Sequence, residues 1–379
     1  MYVIITHRRR VFLTGLVFLM ASCVEPFEPE ISRYEDIIVV YGTFTDKDED
    51  HYVNISQTTG YYDYDKRRLS GAVVALEDSE GNMATYQEVS DGRYCLPGGS
   101  ILPVIGRSYR IVIETPNGNR YASDFEELLK PAKIDSIYYE PENEAATETG
   151  EKRQGLQMYV DSKSTESSTS YYRWDWNETW EYYVPHSKPG YENRRTCWKT
   201  TGSSQINIAD TRLLSEDFIY KHKLHFINTS TNKLIREYST EVSQYTISQR
   251  AYNYWKQLEQ TNEQSGSLFD PPPTSPAGNL ESLNSDQAVL GYFQVSGVSR
   301  KRIFISRDDL PDSFSVKTGY EHCESITVLG LAEAEQRSGW ILLYQYTWMD
   351  TIYTSLTNHY DCYDCTTAGT TKKPDFWIE

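Results

Sequence analysis

Two cysteines near the end of the chain, Cys362 and Cys365, form a CxxC pair that could bind a metal or exchange electrons. Zinc would need a second pair of ligands, and only His359 and the adjacent His322–Cys323 can supply it. A redox site of the thioredoxin type would need the first cysteine at the start of a helix that follows a strand. The flanking Gly, Thr and Lys residues predict neither context. Structural disulfides are therefore expected, with no metal and no cofactor.

Residues 171–184 alternate between two faces of one strand or hairpin. One face carries the indole rings of Trp174, Trp176 and Trp180. Rings on a shared face can stack against a sugar or a peptide, or they can fill a core, where each aromatic side chain buries about 150–250 Å². The core is the favoured interpretation, because a sheet needs one apolar face. A ligand platform is the alternative.

Residues 46–50, Asp-Lys-Asp-Glu-Asp, imitate the start of a calcium-binding loop. His51 stands where such a loop needs its turn glycine, and Gln57 stands where a bidentate Glu should close the site. We therefore expect an acidic hairpin tip in contact with solvent.

Motifs of catalysis are missing from the sequence. It contains no Gly-x-Ser-x-Gly elbow, no His-Glu-x-x-His, no phosphate-binding glycine loop and no dinucleotide fingerprint. Paired carboxylates for glycoside hydrolysis stay open, because that pairing is spatial and acidic residues are abundant. The sequence favours a protein that is not an enzyme.

The N-terminus has the pattern of an export signal. Arg8, Arg9 and Arg10 precede an apolar run over residues 11–20, and Ala21-Ser22 stand directly before Cys23. The run is too short for a membrane span, which needs about 20 residues. The cysteine after small residues resembles a bacterial lipobox, although Met20 stands where that pattern prefers Leu. We expect a signal peptide over residues 1–22 and lipid attachment at Cys23; a soluble secreted protein is the alternative.

An acylated Cys23 would anchor the protein to a membrane without spanning it, since each buried CH₂ contributes about 0.8 kcal/mol. Export also implies an oxidising compartment, where disulfides form. With Cys23 acylated, five of the six cysteines remain, which leaves at least one thiol unpaired. Cys95 is the expected free cysteine, and the other four are expected to form two disulfides of open connectivity, namely Cys197, Cys323, Cys362 and Cys365.

The chain has a net charge of −17, and its three Arg within residues 1–22 would be lost with the signal peptide. Such an acidic body argues against nucleic-acid binding. Its 31 Tyr and 8 Trp favour strands over helices. We therefore expect a mainly β protein.

The elements predict two domains after a tether over residues 23–36. Short strands and turns over residues 37–130 indicate an immunoglobulin-like β-sandwich, including a hairpin at Asn117-Gly118. Residues 131–379 indicate a larger β-rich domain with one short helix, which Ser248 would cap and Gly266 would end. Two polar insertions, residues 141–155 and 161–170, are expected to be mobile loops.

With these segments in place, the chain resembles a family of Bacteroidota lipoproteins known as domain of unknown function 4249. The resemblance spans nearly the whole chain after Cys23. It is carried by the lipobox and by several stretches in order, including Val39-Val-Tyr-Gly-Thr-Phe44, Tyr171-Tyr-Arg-Trp174, Gly266-Ser-Leu-Phe-Asp-Pro271 and Asp361-Cys-Tyr-Asp-Cys-Thr366.

This resemblance implies an outer-membrane lipoprotein encoded beside a TonB-dependent transporter, with an accessory or ligand-capture role and no established active site. The acids Glu25, Glu28 and Glu30 are similar to the surface-export signal of such proteins and imply the extracellular face. The expected partners are the lipid anchor, the transporter and a small ligand, either a glycan or a peptide. The alternative is a carbohydrate-binding or adhesin-type module that acts without a transporter.

Overall fold

The structure is a computed structural model that describes residues 37–59, 67–145, 152–163, 171–212, 217–263 and 276–377. The predicted signal peptide, the lipid attachment at Cys23 and the tether lie outside these residues. Within them, no α-helix is both long enough and apolar enough to cross a membrane.

The N-terminal part forms short strands whose apolar residues mostly alternate with polar ones. They are β1 (Ile38–Thr45), β2 (His51–Gln57), β3 (Arg67–Arg68), β4 (Val73–Asp78), β5 (Met83–Thr85), β6 (Gln87–Ser90), β7 (Arg93–Leu96), β8 (Ser108–Glu114), β9 (Arg120–Ser123) and β10 (Glu126–Glu127).

The rest of the chain adds longer strands and two helices. They are β11 (Lys133–Ala145), β12 (Lys152–Lys163), β13 (Tyr171–Tyr183), β14 (Thr196–Gly202), β15 (Ile208–Asp210), β16 (Phe218–Asn228), β17 (Glu237–Thr246), α1 (Gln249–Glu263), β18 (Leu280–Ser282), β19 (Val289–Ser306), β20 (Ser325–Leu329), α2 (Gly330–Glu335), β21 (Ile341–Trp348) and β22 (Thr351–Thr357).

Four sheets are built from these strands. The main sheet has ten strands in the order β14-β13-β17-β19-β1-β2-β7-β6, with β15 beside β13 and β3 beside β2. A six-stranded sheet has the order β18-β9-β8-β4-β5, with β10 beside β8. Two three-stranded sheets have the orders β11-β12-β16 and β20-β22-β21. The predicted mainly β fold is confirmed.

The first hydrophobic core lies between the main sheet and the six-stranded sheet. Val40, Phe44 and Val53 are fully buried on β1 and β2 of the main sheet. Leu76 on β4 and Ile111 on β8 belong to the same core from the opposite side. Alternating strands with one apolar face each therefore close into a β-sandwich.

The second core lies between the other half of the main sheet and the β11-β12-β16 sheet. Trp174, Trp176 and Trp180 enter it from β13, and Leu156 and Ile227 enter it from β12 and β16. The three indoles are 0%, 4% and 5% exposed. The favoured interpretation of this aromatic face as core matches the structure.

Strand β19 joins the two halves of the protein. Its first eight residues pair in parallel with β1, and its last ten pair antiparallel with β17. The backbone near the expected boundary crosses β19 at Gly297, where a Cβ would lie 2.3 Å from the carbonyl oxygen of Leu129 and 2.5 Å from the nitrogen of Pro131. The division at residue 130 stays a prediction, and hydrogen bonding within the main sheet runs across both parts.

Helix α1 begins after Ser248, as the sequence predicts. The Ser248 hydroxyl accepts a hydrogen bond from the Ala251 amide at 3.1 Å, which satisfies one of the free N–H groups of the first turn. Ala251 and Trp255 of this helix are buried together with Tyr292 of β19. Gly266, the predicted end, lies outside the described residues. The shorter helix α2 was not predicted.

The two polar insertions predicted to be mobile loops are in part strand, so that prediction was wrong for the residues that the structure describes. Pro141 pairs with Leu156 in the β11–β12 hairpin, and the second insertion begins inside β12. Charges on the solvated face lie in pairs, with Lys221 Nζ 2.7 Å from Glu140 Oε2. A polar strand can pair when only its backbone needs partners. The remaining residues, 146–151 and 164–170, lie outside the described part.

Candidate functional site

A cavity of about 430 Å³ opens on the face of the main sheet that helix α1 covers. We call it the arginine cavity. Its floor is the polar face of β13, and its walls come from β1, β17, α1 and the segment after β14. The residues that line it include Tyr41, Arg173, Asp175, Trp176, Asn177, Ser204, Gln205, Tyr245, Tyr254, Trp255 and Asn262. Its size is that of a small-ligand site.

Arg173 is the buried charge of this cavity, with a side chain that is 5% exposed. Its Nη1 and Nη2 each donate a hydrogen bond of 2.8 Å to the two carboxylate oxygens of Asp175. Its guanidinium also lies 4.6 Å from the ring centre of Tyr245 and 4.5 Å from that of Trp255. Two rings and a carboxylate therefore hold the cation in place.

Another donor of Arg173, its Nε, is buried and has no hydrogen-bond partner among the described residues. Burial is the largest single effect and opposes the charge, but the Asp175 carboxylate together with Tyr41 and Tyr245 outweighs it and raises the pKa of the guanidinium. Burial raises the pKa of Tyr245 to about 12, so this phenol stays neutral. The cavity thus presents the Arg173–Asp175 ion pair, neutral phenols and amides to a ligand.

A second cavity of about 490 Å³ lies beside the first. We call it the histidine cavity. The two share Trp176 and residues 202–205, a segment held to β13 by a 2.8 Å bond from the Ser203 amide to the Trp176 carbonyl. Its other lining residues include Gln157, Glu178, Lys223, His225 and Lys233.

Glu178 organises the polar groups of the histidine cavity. Lys233 Nζ lies 2.7 Å from Glu178 Oε2, and the Tyr238 hydroxyl donates to Glu178 Oε1 at 2.7 Å. His225 Nε2 is 3.0 Å from the same hydroxyl, and its ring stacks on Trp176 at 4.6 Å. Burial lowers the pKa of His225 to about 4. A neutral imidazole therefore faces a paired carboxylate. Among the described lining residues, the arginine cavity has one carboxylate, Asp175, and the histidine cavity has one, Glu178.

The predicted ligand platform of Trp174, Trp176 and Trp180 does not match the structure, because the three rings are buried. The indole N–H groups of Trp174 and Trp180 donate to Gln244 and Asn232 at 3.0 and 3.1 Å, so they are satisfied inside the core. Only Trp176 reaches a cavity.

The acidic segment 46–50 connects β1 to β2, which are antiparallel, as expected for a hairpin tip. Its acids bind protein groups. Glu49 forms two contacts of 2.7 Å with Arg300, and Asp46 Oδ1 accepts a hydrogen bond of 2.7 Å from the Val298 amide. The segment therefore fastens the hairpin to β19.

The four cysteines expected in disulfides form two bonds, Cys197–Cys365 and Cys323–Cys362. The two members of the CxxC pair therefore bind different partners. The first bond ties the C-terminal segment to β14, and the second closes the end of the β20-β22-β21 sheet. Cys95 is buried and is the free cysteine of the described residues, as predicted.

An exposed row of aromatic side chains follows the β21–β22 hairpin, and we call it the aromatic hairpin. Tyr344, Tyr346 and Trp348 are 39%, 44% and 59% exposed. The rings of Tyr346 and Tyr353 stack at 5.4 Å with an interplanar angle of 17°. These rings lie on the surface, in contrast to those of β13.

The sequence matches a family model over residues 24–302, more than half of the chain, and this family is described as Domain of unknown function (DUF4249). The chain belongs to this family. Both cavities are built from residues inside the DUF4249 match, whereas the aromatic hairpin lies after it.

No curated protein matches the chain. Among solved structures, a domain described as "Biofilm associated protein - BSP domain" is similar at 7% identity and a TM-score of 0.15. The alignment covers 76% of this chain and 61% of that chain, so this chain spans about three fifths of its length. At these values the likeness carries no argument about function.

Sequence reasoning about this DUF4249 member missed the arginine cavity. The signal was the polar face of the same alternation, where Arg173 and Asp175 stand opposite the tryptophans. An Arg–Asp pair in a strand is normally exposed to solvent. Arg173 of this pair is buried because helix α1 covers it, and the sequence does not show that contact. The aromatic hairpin had a clearer signal in the period-two order of Tyr344, Tyr346 and Trp348.

Proposed function

We propose that the protein is a lipid-anchored outer-membrane surface protein that captures a small polar ligand in the arginine cavity, as an accessory of a TonB-dependent transporter. The observation that carries the ligand role is Arg173, a buried cation held between two rings at the wall of a cavity of about 430 Å³. A buried charge is costly to a fold that does not use it. The missing catalytic motifs support binding rather than reaction.

The lining favours a glycan or a short peptide as the ligand. Tyr254 and Trp255 border the cavity but are buried, at 8% and 6% exposed, so they shape its wall and offer no free ring face. Asn177, Gln205 and Asn262 offer amides that both donate and accept hydrogen bonds. A ligand with several hydroxyl or amide groups matches these amides.

Ligand capture can be tested by blocking the mouth of the cavity. Ser204 is exposed at the lining, so Ser204→Trp should fill the entrance and leave the core intact. Binding of oligosaccharides and peptides from a defined panel would be measured by calorimetry. The matched control is Ser187→Trp, the same change at another exposed position. Equal binding by both variants, or no binding by the wild type across the panel, would contradict the role of this cavity.

The anchor is tested separately. Intact-mass analysis of the native protein should show acyl groups at Cys23, and Cys23→Ser should move the protein from the membrane fraction into the soluble fraction. Digestion of the protein by protease added to whole cells would support its location on the extracellular face. An unmodified thiol on Cys23, with the protein free in the medium, would contradict the anchor.

The partner is tested by purification of the full chain from detergent-extracted membranes after crosslinking. We expect a large β-barrel transporter to copurify. Repeated recovery of the chain alone would count against the accessory role and would leave the ligand test unaffected.

The alternative, a carbohydrate-binding or adhesin module without a transporter, is supported by the aromatic hairpin. Its exposed rings can stack on glycans without any cavity. Binding on a glycan array that is lost in Trp348→Ala and kept in Ser204→Trp would favour this alternative. The reverse result would favour capture in the arginine cavity.

A further inference from the structure

Four side chains of metal-binding type meet at the end of the β20-β22-β21 sheet. They are His322, Cys323, Asp361 and Cys362, and their ligand atoms all lie within 4.8 Å of one another. His322 Nε2 is 3.0 Å from Asp361 Oδ2 and 3.7 Å from Cys323 Sγ. Tetrahedral Zn²⁺ with bonds of about 2.0–2.3 Å places its ligand atoms roughly 3.3–3.8 Å apart. The cluster therefore has the N, O and S donors of a zinc site, and the distance from His322 to Cys323 lies within that range.

The two cysteines of the cluster are bonded to each other. We propose that Cys323 and Cys362 alternate between this disulfide and a pair of thiolates that bind Zn²⁺ together with His322 and Asp361. The pair is then a redox-controlled metal site, separate from both cavities and independent of the proposed function.

The chemistry of the exchange balances with a dithiol as the reductant. The dithiol gives two electrons and two protons to the disulfide, the S–S bond breaks, and the dithiol becomes a disulfide itself. Zn²⁺ then binds both sulfurs and displaces the two thiol protons. In the reverse direction a disulfide oxidant accepts the electron pair, the S–S bond forms again and Zn²⁺ leaves.

Such a site needs ligands that stay together when the disulfide opens, and the surrounding backbone provides this. Ser325 pairs with Thr357 at the adjacent ends of β20 and β22. Asn358 joins the two ligand segments, since its Nδ2 donates to the His322 carbonyl at 2.8 Å and its Oδ1 accepts from the Glu324 amide at 3.0 Å. These bonds do not depend on the sulfur atoms.

Two of the four ligands are open to solvent, and a third is held by the body of the protein. The side chains of His322 and Asp361 are 46% and 35% exposed, so an ion can reach them from solvent. Cys362 is buried, and its carbonyl accepts a hydrogen bond of 2.9 Å from the His186 amide. This bond fixes the buried side of the cluster to the body of the protein.

The test uses the purified full chain and Co²⁺, which reports tetrahedral thiolate ligation by its visible absorption. After reduction with a phosphine and removal of the phosphine, Co²⁺ should give thiolate charge-transfer and tetrahedral d–d bands that saturate at one ion per chain. Zn²⁺ should displace the cobalt. The oxidised chain should give no such bands. Cys197→Ser with Cys365→Ser removes the other disulfide and should keep the bands.

Variants separate this site from adventitious binding. His322→Ala and Asp361→Asn should each weaken Zn²⁺ affinity at least about tenfold, and Cys323→Ser with Cys362→Ser should abolish the charge-transfer band. The matched control is His359→Ala: the His359 imidazole contacts Asp361 at 3.4 Å but is outside the cluster of four. It should weaken affinity less than His322→Ala does.

Three results would overturn the proposal. The first is a reduced chain without thiolate–cobalt bands. The second is an affinity that His322→Ala lowers no more than His359→Ala does. The third is loss of the β-sheet signal in circular dichroism on reduction, because the proposal requires the sheet and Asn358 to hold the ligands without the disulfide.

Discussion

Removal of the carboxylate at Asp175 is the sharpest test of how the arginine cavity is built. In Asp175→Ala the guanidinium of Arg173, which is 5% exposed in the wild type, loses both of its 2.8 Å carboxylate contacts. Its Nε already lacks a partner among the described residues, so the cation would keep its two ring contacts and the Tyr41 hydroxyl but no negative charge.

The size of the effect follows from burial. Breaking a buried ion pair by removing one partner costs about 3–5 kcal/mol. The Asp175 side chain is 35% exposed, so water can enter where the carboxylate was, and we expect the lower end, about 3 kcal/mol. The ring contacts with Tyr245 and Trp255 remain and contribute about 1 kcal/mol or more. The loss of stability comes mainly from the unpaired charge of Arg173, so removing that charge should reduce the loss.

Because the charge is the cause, removing it should recover stability. The double variant Arg173→Met with Asp175→Ala should be about 1 kcal/mol more stable than Asp175→Ala alone. The assay is urea unfolding followed by tryptophan fluorescence. The control is Asp210→Ala, whose partner Arg212 is 47% exposed and which should cost below about 1 kcal/mol. A double variant no more stable than Asp175→Ala would refute the reasoning.

Two further predictions concern the second cavity and the join between the two halves. Burial lowers the pKa of His225 to about 4, so the unfolded chain binds a proton at that residue before the folded chain does. This difference has no effect on the free energy of unfolding above a pH of about 6.5. As the pH falls from there towards 4, it lowers the free energy of unfolding by about 3 kcal/mol. The stability difference between wild type and His225→Gln should shrink by that amount between pH 7 and 4, and parallel pH profiles would contradict this. Gly297→Ala should cost about 3 kcal/mol in thermal unfolding, because its Cβ would lie 2.3 Å from the Leu129 carbonyl oxygen. Gly202→Ala is the matched control, since its Cβ would lie 3.4 Å from the nearest atom, and an equal loss in both variants would show that the crossing at Gly297 is not the cause.

Features that depend on neighbours in sequence were predictable. The hairpin at Asn117-Gly118 joins β8 and β9, and Gly118 has a φ of +83°, as a tight turn requires. Helix α1 begins where Ser248 can cap it. In both cases the signal and the structure lie within a few residues of each other.

Features that depend on distant segments were not predictable from one sequence. The parallel pairing of β1 with β19 joins Ile38 to Val289. The sequence of neither strand indicates which strand it pairs with. Strand β19 runs unbroken over 18 residues, because β1 pairs with its first eight residues and β17 pairs with its last ten. The disulfide pairing was open for the same reason.

The sequence by itself determined that β13 would have one aromatic face, because alternation in a strand assigns every second side chain to the same side. Only the tertiary structure decided what covers the other face. There, helix α1 and strand β17 bring Trp255 and Tyr245 onto Arg173. The periodicity of a strand fixes which side a residue faces, whereas its partner is set by packing between segments far apart in the chain.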